Sequence, residues 1–273
     1  MKAFTLQEAA AALGLPQMQA QATLADVCTD TRKIQPGSLF LCLRGERFDG
    51  HSFASQAAQL GAAALLVDHP VDADVPQLVV TDTGKALLQL AGWYRRRFQL
   101  PVVGLTGSVG KTTTKEFCYA VLSAFGNTLK TEGNQNNEIG LPNTLFRLED
   151  TTQYAVVEMG MSAPNEIKDL CYAAKPMMGI ITNIGVSHIE HLGSRENILK
   201  AKLELADALP DGATLLLCDD NDLLHTVDIP RLHVVRYGLN SPRAEIKATI
   251  VSATPLSTNF MLHAEGQSWR ATI

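Results

Sequence analysis

The run GLTGSVGKTTT at 104–114 constrains this chain more than any other stretch. It lies between an apolar run at 101–105 that reads as a strand and a segment at 112–125 that reads as a helix, the setting of a phosphate-binding loop. Small residues let successive backbone N–H groups close around phosphate oxygens, a lysine reaches the terminal phosphates, and a hydroxyl holds Mg²⁺. Lys111 and Thr112 supply the last two, and Thr106, Gly107, Ser108, Val109, Gly110 and Thr113 complete the candidate nucleotide loop. The spacing is a variant: the pattern G-x-x-x-x-G-K-S/T would set its first glycine at Leu105, whereas the glycines here are Gly104, Gly107 and Gly110. A glycine-rich turn opening an ordinary helix is the competing reading, and the strand before the loop and the Lys-Thr pair after it weigh against it.

A chain of 273 residues, 46% of them hydrophobic, has the length for about two domains and ample apolar material for buried cores. Its formal net charge of -5 offers no basic footprint for nucleic acid or an anionic membrane, which favours small-molecule chemistry. Five widely spaced cysteines without a C-x-x-C pair suggest neither a disulfide framework nor a zinc knuckle and fit a reducing cytoplasm. The N-terminus reads as a capping box, Thr5 to Glu8, opening a short alanine-rich helix that closes at Gly14, and not as a secretory segment. No apolar run reaches membrane-spanning length.

Short strands at 38–43, 63–67 and 77–80 with a helix near 52–60 form a small α/β unit, residues 1–82. A helix over 83–98 follows, with Leu87, Leu88 and Ala91 on one face and Arg95, Arg96 and Arg97 at its C-terminal end, where solvated cations suit the dipole. From 100 onward strands and helices alternate as far as a strand at 214–218, the pattern of a mostly parallel sheet with helices on both faces. After 232 the segments 232–237, 245–252, 259–263 and 268–273 read as strands without helices between them, an antiparallel extension. The fold class is therefore α/β: a small N-terminal domain followed by a P-loop-type central domain, 83–273.

Further candidates lie at strand ends. AVVEMG at 155–160 puts Glu158 where a carboxylate would complete a metal shell beside the loop. ITNIGVSHIEH at 181–191 puts Asn183, His188, Glu190 and His191 at the C-terminal sheet edge, where open α/β sheets bind ligands; taken alone, its histidines read as surface residues. NQNNEIGLP at 134–142 taken alone reads as a turn, and Lys200 and Lys202 on a helix near 194–209 as solvated side chains.

Taken together, these segments resemble the Mur ligase family, the ATP-dependent amide-forming enzymes of peptidoglycan assembly, and specifically its MurF type. The resemblance runs in order through DTRKIQPGSLF at 30–40, GERFDGH at 45–51, TGSVGKTT at 106–113, NNEIGLP at 136–142, EMG at 158–160, TNIG at 182–185 with HIE at 188–190, and AKLE at 201–204. It implies an N-terminal domain that holds a UDP moiety, with Thr31, Arg32, Asp49, Gly50 and His51 as matching positions. It further implies Lys111 and Thr112 on ATP and Mg²⁺, Glu158 and His188 as metal ligands, and Asn136 and Asn137 near the muramyl substrate. Lys202 matches the family lysine that is carbamylated by CO₂. The implied reaction joins D-alanyl-D-alanine to UDP-N-acetylmuramoyl-tripeptide through an acyl phosphate, in a cytoplasmic monomer that binds no nucleic acid. Family members continue through a further C-terminal domain, so the chain reads as the first two domains of such an enzyme. A MurE-type ligase, a folylpolyglutamate synthase-like ligase and a non-catalytic module that binds UDP-sugar or ATP are the alternatives.

Overall fold

The computed structural model describes residues 1–45 and 48–273. Its larger sheet has nine strands in the order Thr128–Lys130, Tyr154–Glu158, Val102–Thr106, Met178–Ile181, Thr214–Cys218, His233–Gly238, Ile246–Thr254, Ser257–Ala264, Gln267–Thr272. Strands up to Ile246–Thr254 pair in parallel, and the last three form an antiparallel meander. The alternation of side chains along each strand divides the apolar residues between two faces. Leu105, Val156 and Ile180 pack with Cys118 and Leu122 of helix Lys111–Ser123, while Val102, Val157 and Ile181 join the core with Ile167 and Leu170 of Glu166–Ala174 and Ile198 and Leu205 of Arg195–Ala208. The loop strand is thus interior, with Glu158 ending one neighbour and Thr182 following the other.

The N-terminal unit is a four-stranded parallel sheet, ordered Asp26–Cys28, Ser38–Leu41, Ala62–Val67, Gln77–Val79. Phe40, Leu65 and Val67 cluster with Ala54 and Ala57 of helix Ala54–Gln59. Leu39, Leu41, Leu66 and Leu78 belong to the same continuous core as Leu87, Leu90 and Tyr94 of helix Thr83–Arg95. That helix, whose N-terminus is capped by the Asp82 carboxylate accepting from Lys85 N–H at 2.9 Å, also packs on helices Gly140–Leu145 and Glu166–Ala174. One helix therefore serves two units.

Two expectations are corrected. Strand Asp26–Cys28 has no counterpart among the expected elements, because three residues beginning on an aspartate carry no period. Arg95 is not solvated: it is 6% exposed and donates to the carbonyls of Ala174, Phe98 and Leu100 at 3.0, 2.6 and 2.9 Å. Arg96 is exposed as expected, and Arg97 lies over the rings of Trp93 and Tyr94. Arg95→Met, which leaves those three carbonyls without their donor, is expected to cost about 2–4 kcal/mol in urea unfolding, against about 0.5 kcal/mol or less for Arg96→Met; equal effects would refute the assignment.

Candidate active site

The loop keeps its shape because the next strand grips it. Ser108 N–H donates to both the backbone and side-chain oxygens of Asn183 at 3.1 Å, and Val109 N–H to the same side-chain oxygen at 2.9 Å. Thr182 Oγ1 donates to the Val109 carbonyl at 2.6 Å, and Gly185 N–H donates to Ser108 Oγ at 2.9 Å. The approach is close enough that a Cβ at Gly107, where φ is +154°, would stand 1.9 Å from Thr182 Oγ1. With Ser108 and Val109 engaged, the amides of Gly110, Lys111, Thr112 and Thr113 have no backbone acceptor among the described residues. Four such amides at the N-terminus of a 13-residue helix are an arrangement that suits an anion. Lys111 Nζ folds over the loop, donating to the Gly107 carbonyl at 2.9 Å. Thr106 lies wholly buried beneath, its hydroxyl without a partner among the described residues.

Glu158 is the hub beside this site. It is 2% exposed; Thr112 Oγ1 donates to its Oε2 at 3.0 Å and Asn136 Nδ2 to its Oε1 at 2.8 Å. Its N–H donates to Thr131 Oγ1 at 3.0 Å. Asn137 serves instead as a local turn residue, its Oδ1 accepting from Gly140 N–H at 2.9 Å. A carboxylate and a hydroxyl are hard oxygen donors of the kind Mg²⁺ prefers, so this pair fits that ion. His188 stands on the segment that clasps the loop, exposed and with φ of +63°, and among the described residues no hydrogen bond or ion pair joins it to Glu158, Thr112 or Lys202. His191 is likewise exposed.

Lys202 departs from the solvated side chain that its residue type suggests. It is 2% exposed, and burial, followed by the nearby charge of Lys111, lowers its pKa to about 7. The signal was present in the helix period: Lys202 falls four residues after Ile198 and three before Leu205, on the buried stripe. Lys200, by contrast, is exposed.

The N-terminal candidates fall at two places. Thr31 and Arg32 line a pocket with Thr29, Phe40, Phe48 and Phe53, in which the rings of Phe48 and Phe53 stack at 5.4 Å. Neither phenylalanine was singled out from the sequence, where an isolated aromatic carries no pattern. Arg32 pairs with Asp30 at 2.8 Å, and its hydrogen bonds hold that carboxyl at about 2. Asp49, Gly50 and His51 instead build a tight turn. The His51 ring contacts Asp49 at 2.6 Å and Asp68 at 3.2 Å, and a Cβ at Gly50 would meet Leu43 N at 2.8 Å. Of the 45–51 segment, residues 46 and 47 lie outside the described residues. Thr29 and Asp30 also line a cleft shared with Gln135, Asn143 and Arg147, which runs from the aromatic pocket towards the asparagine loop.

A parallel α/β sheet carrying a clasped phosphate loop and a buried carboxylate at its C-terminal edge defines a nucleotide-binding protein of the P-loop type. The chain belongs to the Mur ligase family: residues 105–273 match the Mur ligase middle domain and residues 23–95 match the Mur ligase family catalytic domain. It is 44% identical over 245 residues to the UDP-N-acetylmuramoyl-tripeptide--D-alanyl-D-alanine ligase of Escherichia coli, covering 89% of this chain and 54% of that protein. Its structure resembles MurF from Acinetobacter baumannii with a TM-score of 0.92 at 33% identity, over 100% of this chain and 61% of the other. It also resembles the MurF ligase of Thermotoga maritima, solved in complex with ADP, with a TM-score of 0.84 at 29% identity, over 90% of this chain and 57% of that one. The chain thus spans about half the length of the curated relatives it matches.

The depressed Lys202 pKa sets a test of sign. Its folded value of about 7 lies below the usual 10.5, so the folded state disfavours the ammonium; the cost is full below pH 7 and fades as pH rises to 10.5. In CO₂-free buffer Lys202→Met is expected to melt above the parent at pH 6–7, by an amount equivalent to a few kcal/mol, with the gap closing towards pH 10. A gap that does not vary with pH would refute it.

Proposed function

We propose that this chain forms the substrate- and nucleotide-binding part of an ATP-dependent ligase that joins D-alanyl-D-alanine to UDP-N-acetylmuramoyl-tripeptide through an acyl phosphate, in peptidoglycan synthesis. The reading is supported above all by the open loop amides beside the Thr112–Glu158–Asn136 constellation. Residues 1–82 hold the UDP end, with the uracil ring on Phe48 and Phe53 and the diphosphate near Arg32; residues 83–273 bind ATP. ATP with Mg²⁺ supplies the phosphoryl group that turns a carboxylate, otherwise a poor acylating agent, into a reactive one. Lys111 and the amides of residues 110–113 would bind and orient the phosphates, Thr112 and Glu158 would hold the metal, His188 would join them on the strength of the family resemblance alone, and Asn136 would place the peptide end next to Glu158.

Lys202 acts as its carbamate. The free amine attacks CO₂, forming an N–C bond and releasing one proton, and a pKa of about 7 makes that free amine abundant at neutral pH. The product is an anionic oxygen donor, so the repulsion by Lys111 becomes attraction. On this reading the protein works in the cytoplasm as a monomer; no described helix is long and apolar enough to cross a membrane.

Calorimetry with UDP-N-acetylmuramoyl-tripeptide and with ATP–Mg²⁺ tests the reading. Both are expected to bind the parent chain, and Lys111→Ala is expected to lose ATP affinity at least tenfold while keeping the UDP ligand. Unaltered ATP binding would show that the loop is misread. With ¹³C-bicarbonate the parent is expected to show a carbamate resonance absent from Lys202→Met; its absence from both would remove the carbamate.

A further inference from the structure

Helix Lys111–Ser123 treats its side chains in an unusual order. Phe117 and Val121 are 52% and 61% exposed, and Phe125 just beyond the helix is 74% exposed, whereas Lys115 is 1% exposed. A lysine on a helix with an open solvent face is ordinarily at the surface, and its burial calls for a compensating charge. Its Nζ lies 4.0 Å from Glu158 Oε2, 3.2 Å from Glu116 Oε1 and 3.5 Å from the Gly133 carbonyl. Glu116 is half exposed and pairs with Lys130 as well, so Glu158 is the fully buried anion that Lys115 faces. Conversely, Glu158 has two neutral donors, Thr112 and Asn136, and among the described residues Lys115 is its ion-pair partner.

We propose that Lys115 is an internal counter-cation of Glu158, standing in for the divalent ion and competing with it for the same carboxylate. The proposal rests on the reading of Thr112 and Glu158 as a divalent-ion site. The oxygen nearest Lys115 is the one that accepts from Thr112, so an ion held by that pair sits within a few ångströms of a fixed ammonium. A carboxylate left wholly uncompensated would be costly to bury, and one left wholly free for the metal would hold it permanently. Lys115 does neither: it keeps the empty site charge-balanced and keeps the ion's affinity low, so that the ion enters and leaves with the anionic ligand.

The test uses the nucleotide-free 273-residue chain and Mn²⁺ alone, following free Mn²⁺ by its EPR signal at pH 8. Lys115→Met is expected to bind Mn²⁺ more tightly by on the order of tenfold, the size set by removing one charge a few ångströms from the ion in a partly aqueous site. Lys115→Arg is expected to titrate like the parent, and Glu158→Gln to lose the site. Lys115→Gln keeps a donor for the Gly133 carbonyl and carries the same expectation as Lys115→Met should the latter fold poorly by circular dichroism. Equal or weaker Mn²⁺ binding by the charge-neutral variants would overturn the proposal. ATP binding by the parent is measured separately, so a failure of the nucleotide reading would appear there and not in the Mn²⁺ titration.

Discussion

Because the Asn183 side-chain oxygen accepts the amides of both Ser108 and Val109, the crest of the phosphate loop cannot turn independently of the strand Met178–Ile181 that leads to Asn183. Everything chemical in the site is referred to that fastening. It decides which amides remain for an anion, it brings Thr182 so close that position 107 must lack a side chain, and it continues directly into the segment bearing His188. A loop of this composition on an isolated helix would be a flexible turn. Here the neighbouring strand supplies the preorganisation that lets backbone dipoles act on a phosphate without first being reoriented.

The electrostatics run against the protein's net charge of -5. Lys111 and Lys115 lie one helical turn apart, Lys115 faces the buried carboxylate of Glu158, and the charge of Lys111 reaches Lys202 on another helix, so three lysines cluster beside the loop. A local excess of cations on an acidic molecule suits ligands that are themselves polyanions. It also explains why the lysines are not equivalent. Lys111 has a flexible reach over the loop, Lys115 is locked against an acid, and Lys202 is pressed towards neutrality by burial.

Most of the fold was readable from the chain because period and punctuation agree: the alternation of strand and helix from Val102 to Cys218, the capping box at Thr5 and Glu8, and the helix-free run of strands after His233 all appear at or within a few residues of the expected places. His233–Gly238, however, expected in the antiparallel extension, pairs in parallel on both sides, and the meander begins at Ile246. Short elements escaped, as with Asp26–Cys28, where three residues cannot display a period. The loop and Glu158 could be found from residue type and position. Lys202, Lys115 and Arg95 could not be separated from ordinary surface cations by type, since their character comes from what other elements place over them. The aromatic pocket was hidden for a similar reason: Phe48 and Phe53 become a pair only once the Gly50 turn folds them together.

Helix Thr83–Arg95 packs on both units through one continuous core, with Leu87 and Leu90 joined to the N-terminal sheet and Tyr94 donating to the Leu148 carbonyl at 2.7 Å. The cleft lined by Thr29, Asp30, Gln135, Asn143 and Arg147 lies between the aromatic pocket and the asparagine loop beside Glu158, and under the proposed reading that gap is the jaw of a caliper. Under the proposed reading a substrate anchored by its uridine is measured by that jaw: a peptide one residue short leaves its carboxylate away from the phosphate, and one residue long overshoots. Chain length is then discriminated by the stiffness of a single shared helix, without a dedicated contact for every residue of the peptide.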